Sequence, residues 1–154
     1  MGRLSELRTH VNYELEMIPD PKSRTGAVAH LYGVSLAATM LAKKRGLDPE
    51  LASMAAMLHD LWAYKNGSYE DHAHRGAALA REILEGLGLT SPEETEAICS
   101  AIYHHDDKLT TDGPMEELLK DADVVHHCMN DLSKAVKEKE KARFENLCKE
   151  FGME

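Results

Sequence analysis

The chain has 154 residues, 43% hydrophobic and 29% charged, a length and balance that predict one globular domain with a buried core. Its formal net charge is −9, from 27 acidic against 18 basic side chains, and this argues against a nucleic-acid polymer or a membrane surface as partner, since either calls for a basic face. No run of 18 apolar residues predicts a transmembrane helix, and the opening stretch lacks both the apolar core of a signal peptide and the Ser or Thr at position 6 that myristoylation favours.

Helical periodicity recurs along the chain, with no convincing alternation of β-branched residues. The first predicted helix covers residues 4–18 and stops at Pro19-Asp20-Pro21, where proline cannot continue it. The second covers 25–44, with Val28, Leu31, Leu36, Met40 and Leu41 as its apolar stripe and Gly46 as its stop. Asp48-Pro49-Glu50 is an N-cap with proline at the first helical position. It opens a third helix at 51–65, apolar on most sides and hence central. Residues 66–71 form a loop before a fourth helix at 72–86. Ser91-Pro92-Glu93-Glu94 is a capping box that starts a fifth helix, ending near His105. Residues 106–113 are a polar loop placed to overhang a pocket, 115–130 a sixth helix and 131–151 a seventh, whose Lys/Glu-rich middle reads as a solvated face. The prediction is an all-α, single-domain bundle of six or seven helices over residues 1–154, without repeats or linkers. Cys99, Cys128 and Cys148 are odd in number and lack CxxC spacing, so they read as small hydrophobes in a reducing, cytoplasmic setting.

Nine histidines are a high load for this length, and five of them, with two aspartates, fall in the order His30, His59-Asp60, His72, His104-His105, Asp123. Imidazole and carboxylate are ligands of borderline divalent metals, and a carboxylate can bridge two ions. His30 lies mid-helix among apolar residues, where a polar ring needs a partner or a metal. His59 and Asp60 are separated by about 100° around a helix and reach one cleft if the metal lies beside it. Position alone leaves His72 against His74, and Asp121 against Asp123, open. His10 and the His126-His127 doublet read as surface or supporting residues, and Met40, Met54 and Met57 as core fillers.

The stretches AHLYGVS around His30, AAMLHDLW around His59-Asp60 and LLKDADVV around Asp123 resemble the HD-domain superfamily of metal-dependent phosphohydrolases. HAHRGAALAREIL and AIYHHDD look like the extra histidine motifs of its two-metal branch, and the likeness extends over about residues 24–131. The resemblance implies one metal held by His30, His59, Asp60 and Asp123, and a second by Asp60, His72, His104 and His105. It favours His72 over His74, because a small residue, Gly76, follows four positions on, and Asp123 over Asp121, because of the Ala-Asp dipeptide. His104 stands either as a ligand or as a supporting contact. One or two divalent ions are implied (iron or manganese preferred; nickel, cobalt or zinc otherwise), with phosphate-ester hydrolysis by a metal-bound hydroxide. Asp60 would be bridge and orienter. Where many relatives carry a lysine three residues after this aspartate, Ala63 stands here, and Lys65 is the candidate replacement. Tyr64, Tyr69, Arg75 and Lys108 flank the expected cleft. The expected partner is a small phosphorylated substrate, nucleotides among the candidates, and a homodimer is an option. The same ligand set also fits a di-iron oxygenase or a non-catalytic metal- or nucleotide-binding regulator. The GYP extension of cyclic-dinucleotide phosphodiesterases is absent after His105.

Overall fold

The computed structural model describes residues 1–153. Its helices are α1 (Arg3–Glu16), α2 (Pro21–Arg45), α3 (Pro49–Leu58), α4 (Leu61–Asn66), α5 (His72–Leu87), α6 (Pro92–His104), α7 (Pro114–Met129) and α8 (Lys141–Phe151), with a 3-10 turn at Glu138–Glu140. No strand occurs among the described residues, and the all-α bundle is the one the sequence predicts, its third helix divided in two at His59-Asp60.

Local chemistry sets the boundaries. Asp20 accepts from the Ser23 N–H at 2.7 Å and Pro21 occupies the first helical position, so α2 starts four residues before the predicted Thr25. Asp48 accepts from the N–H groups of Glu50 and Leu51, and Ser91 with Glu94 completes the predicted capping box of α6. α2 closes on Gly46, which takes the left-handed conformation at φ 70°.

Every residue from Ala52 to Leu58 is buried, so α3 is the central helix, and α2, α6 and α7 pack around it. Leu7, Val11 and Leu15 close one side from α1, and Leu147 closes another from α8. On α2 the predicted stripe divides: Leu31 and Leu41 face the core, whereas Val28, Leu36 and Met40 are exposed, Leu36 at 64%. Met40 is therefore not a core filler, unlike Met54 and Met57. The reason is that α2 is apolar nearly all round, and its neighbours cover only part of its circumference. Among the described residues α2 alone is long and apolar enough to cross a bilayer, although it contains no unbroken run of 18 apolar residues, and half of its most apolar stretch is buried inside this bundle.

The predicted seventh helix does not form as one piece. Asp131–Lys137 is irregular, the backbone then makes the 3-10 turn, and helix resumes only at Lys141. The Asp131 carboxylate accepts from both the backbone N–H and the hydroxyl of Ser133, a local turn that competes with helix at this point.

Candidate metal centre

Three of the histidines that face inward sit where a helix begins or ends. His59 lies at the end of α3, His72 is the first residue of α5 and His105 follows the last residue of α6. Each ring donates from Nδ1 to the backbone carbonyl three residues before it: His59 to Ala56 at 2.7 Å, His72 to Tyr69 at 2.9 Å and His105 to Ile102 at 2.7 Å. A carbonyl only accepts, so this contact requires a proton on Nδ1 and leaves Nε2 as the atom that faces the cleft. The chain supplies the necessary break at Asp60, whose φ of −113° and ψ of 6° end α3 and swing its carboxylate inward. α5 can approach this break because residue 76 is glycine: a Cβ there would meet the His59 carbonyl oxygen at 3.0 Å.

The Nε2 atoms converge on two carboxylates. His30 from α2 lies 3.2 Å from Asp60 Oδ2 and 3.2 Å from Asp123 Oδ1 of α7. His59 lies 3.3 and 3.4 Å from the same two oxygens, and 3.1 Å from His30 Nε2. The other oxygen of Asp60, Oδ1, faces His105 at 3.2 Å and His72 at 3.5 Å. Two donors bound to one ion at about 2.1 Å, with angles between 90° and 109°, stand about 3.0–3.4 Å apart. His30, His59, Asp60 and Asp123 thus have the spacing of ligands around one cation, and Asp60, His72 and His105 approximate a second set sharing the same carboxylate. All six residues are buried, and neither Asp60 Oδ1 nor Asp123 Oδ1 has a hydrogen bond of acceptable geometry. A buried carboxylate oxygen without a donor is costly, and a cation in each cluster would remove that cost.

Electrostatics follow from the crowding. Burial pushes both carboxyls up, but it is outweighed for Asp60 by His59, His105 and His30, and for Asp123 by Lys108, His30 and His59; both stay well below the usual range. Burial likewise opposes protonation of His59, yet Asp60 and Asp123 raise it to about 10. His105, with less carboxylate beside it, is lowered by burial. Lys108 is itself buried, donating to the His105 carbonyl at 2.6 Å and to Asp123 Oδ2 at 2.8 Å, so it holds one Asp123 oxygen while the other faces the histidines.

Not every singled-out residue joins the centre. His104 turns away: its Nδ1 donates to the Ser100 carbonyl at 2.9 Å and its ring lies against Tyr103, because it still occupies the last turn of α6 while His105 lies beyond it. Lys65 pairs with Glu14 of α1 at 2.8 Å and does not line the cleft, since the break at Asp60 re-aims α4 so that this face meets α1. His74 is half exposed and pairs with Asp71, which separates it from His72, and Asp121 pairs with Arg45 and Arg143, which separates it from Asp123. Arg75 lies over the Trp62 ring.

The centre opens into a cavity of about 390 Å³ lined by Tyr64, Tyr69, His126, His127 and most of the segment Asn130–Lys137. This segment, and not the loop at 106–113, forms most of the roof, though Asp106 contributes to the lining. The 106–113 loop is instead pinned by the buried Lys120, which donates to the Thr110 carbonyl and to Asp112. Two residues given only a peripheral role by the sequence reading stand at the cleft. His127 Nε2 is 3.4 Å from Asp123 Oδ1 and its Nδ1 meets the buried Glu140 carboxylate at 2.7 Å, while His126 Nδ1 is 2.8 Å from His30 Nδ1. Burial, with His30 and His127 alongside, lowers His126 to about 4. A signal for both existed, since they follow Asp123 by three and four residues and so share its helix face. Glu140 had none: it lies in a run of alternating Lys and Glu.

A family model described as HD domain matches residues 27–128, a segment that contains every residue of both clusters. Among curated proteins the chain is similar to the "Putative phosphohydrolase YueE" of Bacillus subtilis (strain 168), 32% identical over 58% of this chain and 57% of that protein. It is also similar to Ribonuclease Y of Opitutus terrae, 45% identical over 49 residues that make up 31% of this chain and 9% of that enzyme. The chain therefore spans little more than half of the first of these relatives and a small part of the second. No solved structure matches it at a significant level.

Proposed function

The chain belongs to the HD-domain family, and from that premise we propose that it is a metal-dependent phosphohydrolase centred on Asp60. One observation carries this reading: the two oxygens of a single buried carboxylate each face a separate set of imidazole Nε2 atoms at ligand spacing. Iron or manganese suits this mixed nitrogen and oxygen set best, with nickel, cobalt and zinc as alternatives. A pair of such ions supplies positive charge for phosphate oxygens and lowers the pKa of a bound water toward neutrality.

The chain's own residues supply the rest. His30, His59 and Asp123 would hold one ion, His72 and His105 the other, and Asp60 would bridge and orient both. Lys108 neutralises Asp123 from behind, keeping its free oxygen aimed at the first cluster. Lys134 and Lys137 in the roof bring positive charge to the mouth of an otherwise acidic protein, where a phosphate would enter. Burial keeps the Tyr64 phenol protonated, so with Tyr69 it offers an aromatic wall and a hydroxyl donor to a small phosphorylated substrate, a nucleotide among the candidates.

The test is elemental analysis of the purified protein, followed by phosphomonoesterase and phosphodiesterase assays with manganese, iron, nickel and cobalt. Wild type is expected to bind metal and turn over at least one phosphoester, and a His59→Ala/Asp60→Ala variant to do neither. Identical behaviour of the two proteins overturns the reading. So does turnover that requires dioxygen, which marks an oxygenase, or metal uptake without turnover of any phosphoester, which marks a regulator.

A further inference from the structure

His30 differs from the other inward-facing histidines in one respect. His59, His72 and His105 lie at helix ends, and each donates from Nδ1 to the carbonyl three residues before it. His30 lies in the middle of α2, and its Nδ1 turns away from that helix's own carbonyls toward α7. Its partner is Nδ1 of His126, at 2.8 Å. The His30 Nε2 atom lies among His59, Asp60 and Asp123, so a metal-binding His30 must carry its proton on Nδ1 and donate it to His126. His126 is then the acceptor, with its own proton on Nε2.

Gly33 makes this contact sterically allowed. A Cβ at residue 33 would lie 2.2 Å from His126 Cδ2 and 2.7 Å from Nε2, so the ring occupies the space that any other side chain would fill. The His30 and His126 rings meet nearly edge to face, with centroids 4.7 Å apart, while His127 stacks on His30 with centroids 5.2 Å apart. α7 thus supplies the Asp123 carboxylate and, one turn later, the ring that fixes the imidazole facing it.

We infer that His126, seated against Gly33, is the positioning residue that sets the tautomer and aim of His30. The inference rests on the proposal that the first cluster holds a metal, and goes beyond it by assigning a role to two residues outside the ligand set.

The experiment measures Mn²⁺ affinity by chelator competition, with the thermal midpoint of the metal-free protein as a folding control. His126→Ala is expected to weaken Mn²⁺ binding by about 10- to 100-fold. His126→Asn, whose amide oxygen can stand where Nδ1 stood, is expected to recover most of that loss. Gly33→Ala touches no proposed ligand, yet it should weaken binding comparably by displacing the ring. In the His126→Ala background, where no ring is left to displace, the same Gly33→Ala change should have no effect. Wild-type affinity in His126→Ala overturns the inference while leaving the metal centre intact. A Gly33→Ala loss that persists in full without the ring also overturns it. Absence of Mn²⁺ binding by the wild type overturns both the inference and the reading beneath it.

Discussion

In the metal-free protein Asp60 and Asp123 favour a second proton on the His59 ring, and a cation bound at the proposed site would compete with it. Asp60 and Asp123 outweigh its burial and raise its pKa to about 10, well above the ordinary 6.5. The sign follows directly. In the metal-free protein the charged ring stabilises the fold below about pH 6.5, and that contribution is lost as pH rises through about 10. A metal competes with the same proton, so its affinity moves in the opposite sense: it should strengthen by about tenfold for each unit of pH above neutrality if one proton is released. Titrations at two pH values, in buffers of different ionisation enthalpy, read both the affinity and the released proton. A pH-independent affinity would remove His59 from the ligand set. At this scale the sequence was informative about residue type and order, and less so about direction. His104 and His105 are adjacent and chemically identical; only the end of α6 between them decides which ring faces inward. Lys65 is a similar case, since its partner Glu14 lies 51 positions away in sequence, a pairing no local pattern reports.

At the scale of elements, the informative event is the division of one predicted helix into α3 and α4. Apolar periodicity runs through residues 51–65 without interruption, so the break could not be read from it. The break is tertiary in origin. Asp60 turns toward histidines from α2, α5 and α6, and Gly76 lets α5 pack on the exposed carbonyl of His59. The roof tells the opposite story, because Asp131 and Ser133 announce a local turn there, although the surrounding charge pattern also suits a helix. Its far end is held by Glu140, which is 1% exposed and bonded to His127 Nδ1. Replacing Glu140 with alanine leaves that nitrogen without its partner, at a cost of about 1–3 kcal/mol. The variant should therefore be cut faster by a protease within Asp131–Lys137, while the helical signal in circular dichroism stays unchanged. Equal cleavage of variant and wild type would show that the roof is anchored elsewhere, with the Lys139–Asp106 pair as the next contact to test.

For the molecule as a whole, the proposed ions matter to stability as well as chemistry. The six buried residues proposed as ligands, two of them carboxylates, come from α2, α5, α7, the break between α3 and α4 and the residue that follows α6, so a cation bound there would link most of the bundle. Ligand present at about 100 times its dissociation constant stabilises a fold by about 2.7 kcal/mol. For a chain of this size that corresponds to a rise of roughly 5–10 °C in thermal midpoint. Differential scanning calorimetry with and without Mn²⁺ should show this rise in wild type and none in His59→Ala/Asp60→Ala. A similar rise in both proteins would place the binding outside the cleft. The sequence by itself determined the all-α class, most helix boundaries and the residue types of the centre, because caps, prolines and apolar spacing act over a few residues and declare themselves locally. Only the tertiary structure decided that Asp60 faces two clusters, that His105 and not His104 turns inward, and that His126 and His127 belong to the cleft. Those outcomes depend on which helix faces meet, and such contacts join residues dozens of positions apart.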